Sequence, residues 1–222
     1  MNSSQLLLGK RALVFGAGGS VGTAVAREFA AEGAEVFLSG RNQVRLEEVK
    51  RCIEEAGGRA HARAVDALDE TAVQTYVDSV MERAGGVDIV FNVIGPKATE
   101  YGTAKHALDL TIDEYMVALS TVVKSCIITA RSAARHMVKQ HSGVIIGLTG
   151  SPARATSRVR RPSAQLSGRS RHFWKIWRSN LGLKASEWSV FGLRPMPIAM
   201  PFAPRPGRRM CPKSNGPLGW RT

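Results

Sequence analysis

The sequence predicts a doubly wound parallel α/β sheet in residues 1–156 and a basic, irregular segment in residues 157–222. Short apolar runs alternate with longer stretches whose apolar residues recur at helical spacing. The first apolar run leads into a glycine-rich turn that opens a helical pattern. A sharp change in charge then separates the second segment from the first. Such alternation typically gives parallel strands joined by right-handed helical crossovers.

The predicted elements alternate regularly along the chain. Apolar runs place five strands at 12–15, 35–39, 59–65, 87–93 and 144–148. Helical spacing places helices at 21–31, 43–56, 71–83 and 111–140, the last being either one helix or two with a break. Most of 95–110 is expected to be loop. The residues of the first helix expected to face the sheet are Val21, Ala24, Val25 and Phe29.

Charge divides the chain into two regions. Residues 1–156 hold 17 Lys and Arg against 17 Asp and Glu, whereas residues 157–222 hold 14 basic residues and one acid, Glu187. The net charge of +13 therefore belongs to the second region, with all four tryptophans and eight of the ten prolines. A break of this kind indicates a domain boundary, a disordered tail, or a stretch not selected together with the rest.

The glycine turn reads Gly-Ala-Gly-Gly-Ser-Val-Gly over residues 16–22. A turn between a strand and a helix lets backbone N–H groups approach a pyrophosphate at the positive end of the helix. Its spacing, G-x-G-x-x-x-G, differs from the commonest dinucleotide fingerprint. Two roles are open to Ser20: capping the helix or hydrogen bonding to a phosphate. The candidate cofactor-binding residues here are Gly16, Gly18, Gly19, Ser20, Val21 and Gly22.

Later segments follow the turn in an order that indicates one family. Asp66 follows the third strand, residues 88–95 end in Asn92-Val93-Ile94-Gly95, and a long helix at His136-Met137 leads into the fifth strand. Residues 10–151 thereby resemble the short-chain dehydrogenase/reductase family. The resemblance implies a Rossmann-like fold, a nicotinamide dinucleotide cofactor, and hydride transfer on a small carbonyl or alcohol. It also implies that Asp66 contacts adenine, the alternative being that Asp66 caps the next helix.

The end of the fourth strand supplies further candidate cofactor-binding residues. The resemblance implies that Asn92 holds backbone geometry beside the cofactor and takes no part in the chemistry. Val93 and Ile94 would offer apolar surface and backbone groups to the nucleotide. Gly95 completes the family's Asn-Asn-Ala-Gly pattern, of which only Asn92 and Gly95 are retained.

The end of the second strand bears on the choice of cofactor. An acid there would bind the ribose hydroxyls of NAD, but this chain has Ser39-Gly40-Arg41. Arg41 can pair with a 2′-phosphate that an acid would repel. We therefore expect NADP(H) to be preferred over NAD(H), the alternative being that Arg41 is a solvated turn residue.

The residues that carry proton transfer in the resembled family are largely missing. The family uses a Tyr and a Lys four residues further on, after the fifth strand, helped by a Ser after that strand and an Asn in the long helix. Here Val122 stands at the Asn position and Ser151 is the candidate nearest the Ser position. The alternative for Ser151 is a loop serine before a proline. The chain's tyrosines, which all precede the fifth strand, are Tyr76, Tyr101 and Tyr115. We expect the usual reductase chemistry to be absent or very slow.

Part of the basic region fits a different reading frame. When codons compatible with residues 172–187 are read from the third base, TGG before the Lys175 codon forces a glutamate. TGG before a CGN codon for Arg178 forces an alanine. The remaining positions permit an amphipathic sequence like the family's helix and its entry to a sixth strand. We hypothesise a frame change between about Ala155 and His172, which the coding DNA tests.

Three functions remain open from the sequence. The first is an NADP(H)-linked oxidoreductase with impaired catalysis; the second is a non-catalytic dinucleotide-binding module. The third is binding of nucleic acid or another polyanion by the basic region, which we rank last. No metal is expected, because the histidines form no cluster with cysteines or acids. The substrate is not indicated.

The sequence also gives expectations for the cellular location and the assembly of the protein. No apolar run is long enough to span a membrane, so no membrane partner is expected. Three widely spaced cysteines favour a reducing, cytoplasmic compartment without disulfides. The resembled family forms homo-oligomers, but the loss of later strands would leave the fifth strand as an unpaired edge. Assembly is therefore doubtful and aggregation is expected.

Overall fold

A computed structural model describes residues 5–96, 100, 108–148 and 188–193. Strands and helices alternate through these residues, which confirms the predicted fold class. The strands are β1 (Arg11–Phe15), β2 (Glu35–Gly40), β3 (Arg59–Ala64), β4 (Ile89–Asn92), β5 (Gly143–Leu148) and β6 (Trp188–Leu193). The helices are α1 (Ser20–Ala31), α2 (Gln43–Glu55), α3 (Glu70–Ala84) and α4 (Ile112–Gln140). The last predicted helix is thus one continuous helix.

The strands form one parallel sheet in the order β3-β2-β1-β4-β5-β6. The chain runs outward from β1 to β3 and then returns to the other side of β1 with β4. Phe15 at the end of β1 pairs with Asn92 at the end of β4. The reversal between β1 and β4 leaves a crevice at the carboxyl edge of the sheet, where ligands bind in sheets of this type.

The expectation that β5 ends the sheet is wrong. β6 pairs in parallel with β5, from Gly143 opposite Trp188 to Leu148 opposite Leu193. This strand comes from the basic region that the sequence indicated to be irregular. A six-residue segment can form a strand because it pairs with the free backbone groups of a neighbouring edge strand. Whether such an edge lies beside the segment depends on the tertiary structure and cannot be predicted from the segment alone. The edge strand on this side of the sheet is therefore β6 and not β5.

The core lies in two layers, one on each face of the sheet. Alternate residues of each strand enter opposite layers, so Leu13 and Phe15 pack towards α3 and α4, while Ala12 and Val14 pack towards α1 and α2. Both faces are covered, which explains why the central strands β1 and β4 are buried along nearly their whole length. A ligand can therefore approach the sheet only at its edges, and the carboxyl edge carries polar side chains that can bind it.

The inner face of α1 differs in part from the prediction. Val25 and Phe29 pack against the core as predicted, whereas Val21 and Ala24 are exposed. The fully buried residues of the helix are Gly22, Ala26 and Ala30. Small residues bring the helix axis close to the sheet, and this close approach outweighs the greater hydrophobicity of valine. The start of α1 consequently lies directly against the glycine turn.

The amino edge of the sheet is held by a charged contact between β1 and the residue before β4. The Nε of Arg11 lies 2.6 Å from Oδ2 of Asp88, and the Arg11 backbone N–H donates to the same oxygen at 2.9 Å. Burial raises the pKa of Asp88, but the hydrogen bonds and charge of Arg11, with the charge of Lys10, outweigh burial and hold that pKa below its ordinary value. The contact ties β1 to β4 at the edge opposite the crevice.

One cysteine and the helices can be compared with the sequence-based expectations. Cys126 on α4 is a free, buried thiol. Within the described residues, no helix is long and apolar enough to cross a membrane.

Candidate functional site

The glycine turn folds back over the end of β2. The N–H groups of Gly16 and Ala17 both donate to the carbonyl of Ser39, at 2.9 and 3.0 Å. Gly16 has a positive φ of 87°, which favours glycine. The N–H of Gly19 then donates to the carbonyl of Gly16 at 3.1 Å. These bonds fix the turn at the carboxyl edge, above the crevice between β1 and β4.

The four glycines of the turn fall into two classes. A Cβ at Gly22 would lie 2.2 Å from the Gly16 carbonyl oxygen, and one at Gly16 would lie 3.2 Å from Cγ1 of Val93. The fold itself therefore requires glycine at these two positions. A Cβ at Gly18 or Gly19 would meet its nearest protein atom at 3.5 or 3.4 Å. The fold therefore tolerates a Cβ at these two positions, and the lack of one lets a ligand approach the backbone closely.

The start of α1 offers backbone donors to an anion. Gly19 is the N-cap and makes no side-chain capping bond, so the capping role considered for Ser20 is wrong. The N–H of Thr23 donates to the Gly19 carbonyl at 2.8 Å. Among the described residues, the N–H groups of Ser20, Val21 and Gly22 have no acceptor. Unpaired N–H groups at the positive end of a helix suit a diphosphate.

The end of β2 places two arginines beside this turn. Arg41 is exposed directly after β2, and Arg45 lies in the first turn of α2, whose N-cap Asn42 accepts the Arg45 N–H at 3.1 Å. A Cβ at Gly18 would meet the Cβ of Arg45 at 3.5 Å, so the two segments are in contact. Neither guanidinium has an ion pair with any described acid. Arg45 was not predicted from the sequence, because it lies inside α2 and only packing brings that helix against the glycine turn.

Gly40, at the end of β2, leaves room for a side chain at this edge. A Cβ there would make an ordinary contact of 3.7 Å with Cδ2 of Leu46. The neighbouring Ser39 hydroxyl has no hydrogen-bond partner among the described residues, but it is enclosed by protein atoms and does not face the crevice.

Asp66 lies after β3 and is exposed. Its Oδ1 accepts the N–H of Leu68 at 3.0 Å, which forms a local turn. Asp69, and not Asp66, caps α3 by accepting the Ala72 N–H at 3.0 Å. The capping alternative for Asp66 is therefore wrong, and its carboxylate stands at the edge of the sheet.

Asn92 joins the end of β4 to the loop that follows. Its Oδ1 accepts the N–H of Ile94 at 2.9 Å, and its Nδ2 donates to Oγ1 of Thr129 on α4 at 2.8 Å. The N–H of Val93 donates to the Phe15 carbonyl at 3.0 Å. Val93 and Ile94 are half-buried, and Gly95 is exposed with no atom within 4 Å of an added Cβ. The backbone of this loop is thus fixed from both β1 and α4.

The catalytic candidates contribute little within the described residues. Ser151 and Tyr101 lie outside them. Tyr76 is buried with its hydroxyl 3.4 Å from the Leu38 carbonyl oxygen; burial raises its pKa well above the ordinary value, and the charge of Arg63 only partly offsets this. Burial likewise raises the pKa of Cys126 to about 12. Neither group ionises near neutral pH, and the described residues contain no cluster of metal ligands.

A family model described as short chain dehydrogenase matches residues 10–160, more than half of the chain. The chain belongs to the short-chain dehydrogenase family. This membership agrees with the strand order and with the glycine turn at the switch point, and it makes the chain a relative of oxidoreductases.

Curated reductases and oxidoreductases match about two thirds of the chain. A fatty acyl-CoA reductase from Acinetobacter baylyi is 31% identical over 144 residues, which cover 64% of this chain and 47% of that protein. An uncharacterized oxidoreductase from Staphylococcus aureus is 30% identical over 143 residues, covering 64% and 59%. The chain thus spans about half the length of these relatives.

Solved structures of short-chain dehydrogenases share the fold. A short chain dehydrogenase from Burkholderia cenocepacia, in complex with NADP, is 30% identical with a TM-score of 0.70, covering 84% of this chain and 74% of that one. A 7α-hydroxysteroid dehydrogenase complexed with NADH is 26% identical with a TM-score of 0.73, covering 85% and 71%. These two proteins hold different nicotinamide dinucleotides, so the residues at the end of β2 become the informative ones for this chain.

Proposed function

We propose that this chain binds NADP(H) in preference to NAD(H). The observation that carries the proposal is that the N–H groups of Ser20, Val21 and Gly22 have no acceptor among the described residues. Arg41 and Arg45 lie beside them, and neither pairs with a described acid. The N–H groups would hold the diphosphate at the start of α1. Arg41 and Arg45 would hold the phosphate that distinguishes NADP from NAD.

Charge at the end of β2 supports this choice of cofactor. An acid able to bind both ribose hydroxyls would occupy the place of Gly40, where there is space but no side chain. Guanidinium–phosphate pairs are charge-assisted and often bidentate. Because Arg41 and Arg45 are exposed, solvent screens each pair, and two cations together favour the 2′-phosphate more than either alone.

The remaining nucleotide contacts follow from the edge of the sheet. Asp66 would contact the adenine from the end of β3. Val93, Ile94 and Gly95 would line the nicotinamide side beyond β4, with Asn92 holding their backbone. When bound, the dinucleotide supplies or accepts the hydride in this family's oxidation and reduction of alcohols and carbonyls.

The chain lacks the residues that transfer the proton in this family. No tyrosine follows β5 in the sequence, and the half-buried alkyl side chain of Val122 on α4 can neither donate nor accept a proton. General acid–base groups contribute about 10²–10⁴-fold to rate. We therefore propose that turnover of carbonyls or alcohols is slower by about this factor than in family members that carry the tyrosine and lysine.

A non-catalytic dinucleotide-binding module is the second candidate. It is favoured by the inert surroundings of the buried Tyr76 and Cys126 and by Val122 on α4. NADPH binding without detectable turnover across ketone, aldehyde and alcohol substrates would favour this candidate over a slow oxidoreductase. The basic region lies mostly outside the described residues and adds no observation for polyanion binding.

Calorimetric titration of the full chain with NADPH and with NADH tests the cofactor proposal. We expect tighter binding of NADPH, a preference lost in Arg41→Ala, and a reversed preference in Gly40→Asp. Arg51→Ala is a matched control, because Arg51 is an exposed arginine of α2 paired with Glu55 at 3.9 Å. It should leave the NADPH-to-NADH ratio unchanged. Tighter binding of NADH by the unaltered chain would overturn the proposal.

A further inference from the structure

A buried polar pair connects α4 to the end of β4. Thr129 and Asn92 are 1% and 2% exposed, and no charged group takes part in their contact. The Oγ1 of Thr129 lies 2.8 Å from the Ser125 carbonyl oxygen, one helical turn earlier, and 2.8 Å from Nδ2 of Asn92. The function proposed above assigns no role to Thr129, and Thr129 was not predicted from the sequence.

The direction of these hydrogen bonds follows from the single proton on the Thr129 hydroxyl. A threonine hydroxyl has one proton, and here the Ser125 carbonyl accepts it. Towards Asn92 the hydroxyl can therefore only accept, so the NH₂ end of the Asn92 amide must face Thr129. The oxygen end must then face the Ile94 N–H, which it accepts at 2.9 Å. A flipped amide would put two donors together at Ile94 and leave the Thr129 oxygen unused.

We propose that Thr129 is a positioning residue, which sets the orientation of the Asn92 amide and thereby the backbone of Val93 and Ile94. The segment so fixed packs against the glycine turn, since a Cβ at Gly16 would lie 3.3 Å from the Val93 carbonyl oxygen. It also lies beyond β4, on the side of β1 opposite to β2 and Arg41. Thr129 therefore acts on the nicotinamide half of the site and not on the adenosine half.

This inference rests on the proposed binding of NADP(H), and it predicts a selective effect. In Thr129→Val, Nδ2 of Asn92 keeps its buried position but loses its acceptor. The amide is then free to rotate away from Ile94, and the loop loses its fixed geometry. NADPH should bind about three- to tenfold more weakly, the equivalent of one neutral hydrogen bond. Adenosine 2′,5′-bisphosphate, which has no nicotinamide half, should bind as it does to the unaltered chain.

The test uses the full chain and three variants. Thr129→Ser keeps the hydroxyl and should restore NADPH affinity. Ser125→Ala is the matched control, because it removes a buried hydroxyl of α4 that donates only to the Val122 carbonyl, at 3.1 Å. Hydrogen exchange of the Ile94 amide, measured without nucleotide, should be faster in Thr129→Val alone.

The outcomes separate this inference from the proposed function. If the unaltered chain binds adenosine 2′,5′-bisphosphate but Thr129→Val weakens both ligands equally, the positioning role is wrong while the cofactor site stands. Unchanged exchange at Ile94 in Thr129→Val would also overturn it. Failure of the unaltered chain to bind either ligand would overturn the proposed function, and the positioning role with it.

Discussion

Substitution of single glycines in the turn should separate the needs of the fold from those of the ligand. Gly22 and Gly18 are four residues apart in the same turn, but only Gly22 has backbone atoms in the space of a side chain. In Gly22→Ala the new Cβ would lie 2.2 Å from the Gly16 oxygen, 2.8 Å from the Gly16 carbonyl carbon and 2.9 Å from the Ala17 Cα. None of these atoms can rotate away, so the start of α1 must move.

The expected cost of Gly22→Ala can be worked from two opposing effects. Overpacking costs about 1–3 kcal/mol, and contact with backbone favours the upper end. Replacing glycine by alanine within a helix returns about 1 kcal/mol. The net loss in free energy of unfolding is therefore about 2 kcal/mol, which lowers Tm by about 4–8 °C in a chain of this size. NADPH binding should be lost as well, because the N–H groups of Ser20 and Val21 move with the helix.

Gly18→Ala should show the opposite pattern. Its Cβ would make an ordinary 3.5 Å contact with Arg45 and its φ is not positive, so stability should stay within about 1 kcal/mol of the unaltered chain. The Cβ would nevertheless occupy space expected for the diphosphate, and NADPH affinity should fall at least tenfold. Urea unfolding and calorimetry measure the two quantities. A Gly22→Ala chain as stable as the unaltered one, or a Gly18→Ala chain that binds NADPH normally, would contradict these roles of the two glycines.

Two further predictions concern buried polar groups away from the diphosphate. Asp88→Asn should lower the free energy of unfolding by about 1–3 kcal/mol, because it weakens the charge-assisted bonds from Arg11. The pKa of Asp88 is lower in the folded chain than in the unfolded chain, where it is about 4. The Asp88 carboxylate therefore stabilises the fold above that unfolded pKa, and this stabilisation is lost as pH falls through the folded pKa. Urea unfolding between pH 2 and 6 should show a smaller pH dependence in Asp88→Asn. Tyr76→Phe should leave NADPH affinity and any turnover unchanged and lower stability by about 1 kcal/mol or less, since it loses only a long hydrogen bond to Leu38. A loss of turnover in Tyr76→Phe would show that a buried tyrosine takes part in the chemistry.

Local sequence was enough where a strand or helix contains its own signal. The apolar runs of β1, β2 and β4 and the helical spacing of α2, α3 and α4 predicted these elements to within a few residues. The same local signal was wrong for the first turns of α1, where Val21 and Ala24 were expected inside but are exposed. It also missed β6, whose role depends on the free edge of β5 and not on its own residues.

The candidate site shows the same division. Gly16–Gly22, Arg41 and Asp66 were predicted because each follows directly on a strand, and parallel strands bring their carboxyl ends to one edge. Arg45 and Thr129 were missed because each lies inside a helix and reaches the site only through packing. Likewise, only the geometry of the helix N-termini showed that Gly19 and Asp69 are the N-caps, and not Ser20 and Asp66.

The sequence by itself determined the alternation of strands and helices, the family, and the lack of a tyrosine after the fifth strand, because periodicity and residue type are properties of the chain. Tertiary structure decided which glycines leave room for a ligand, which N–H groups lack an acceptor, and which way the Asn92 amide points. Those properties depend on distances between atoms that are far apart in sequence, and only the packed sheet brings them together.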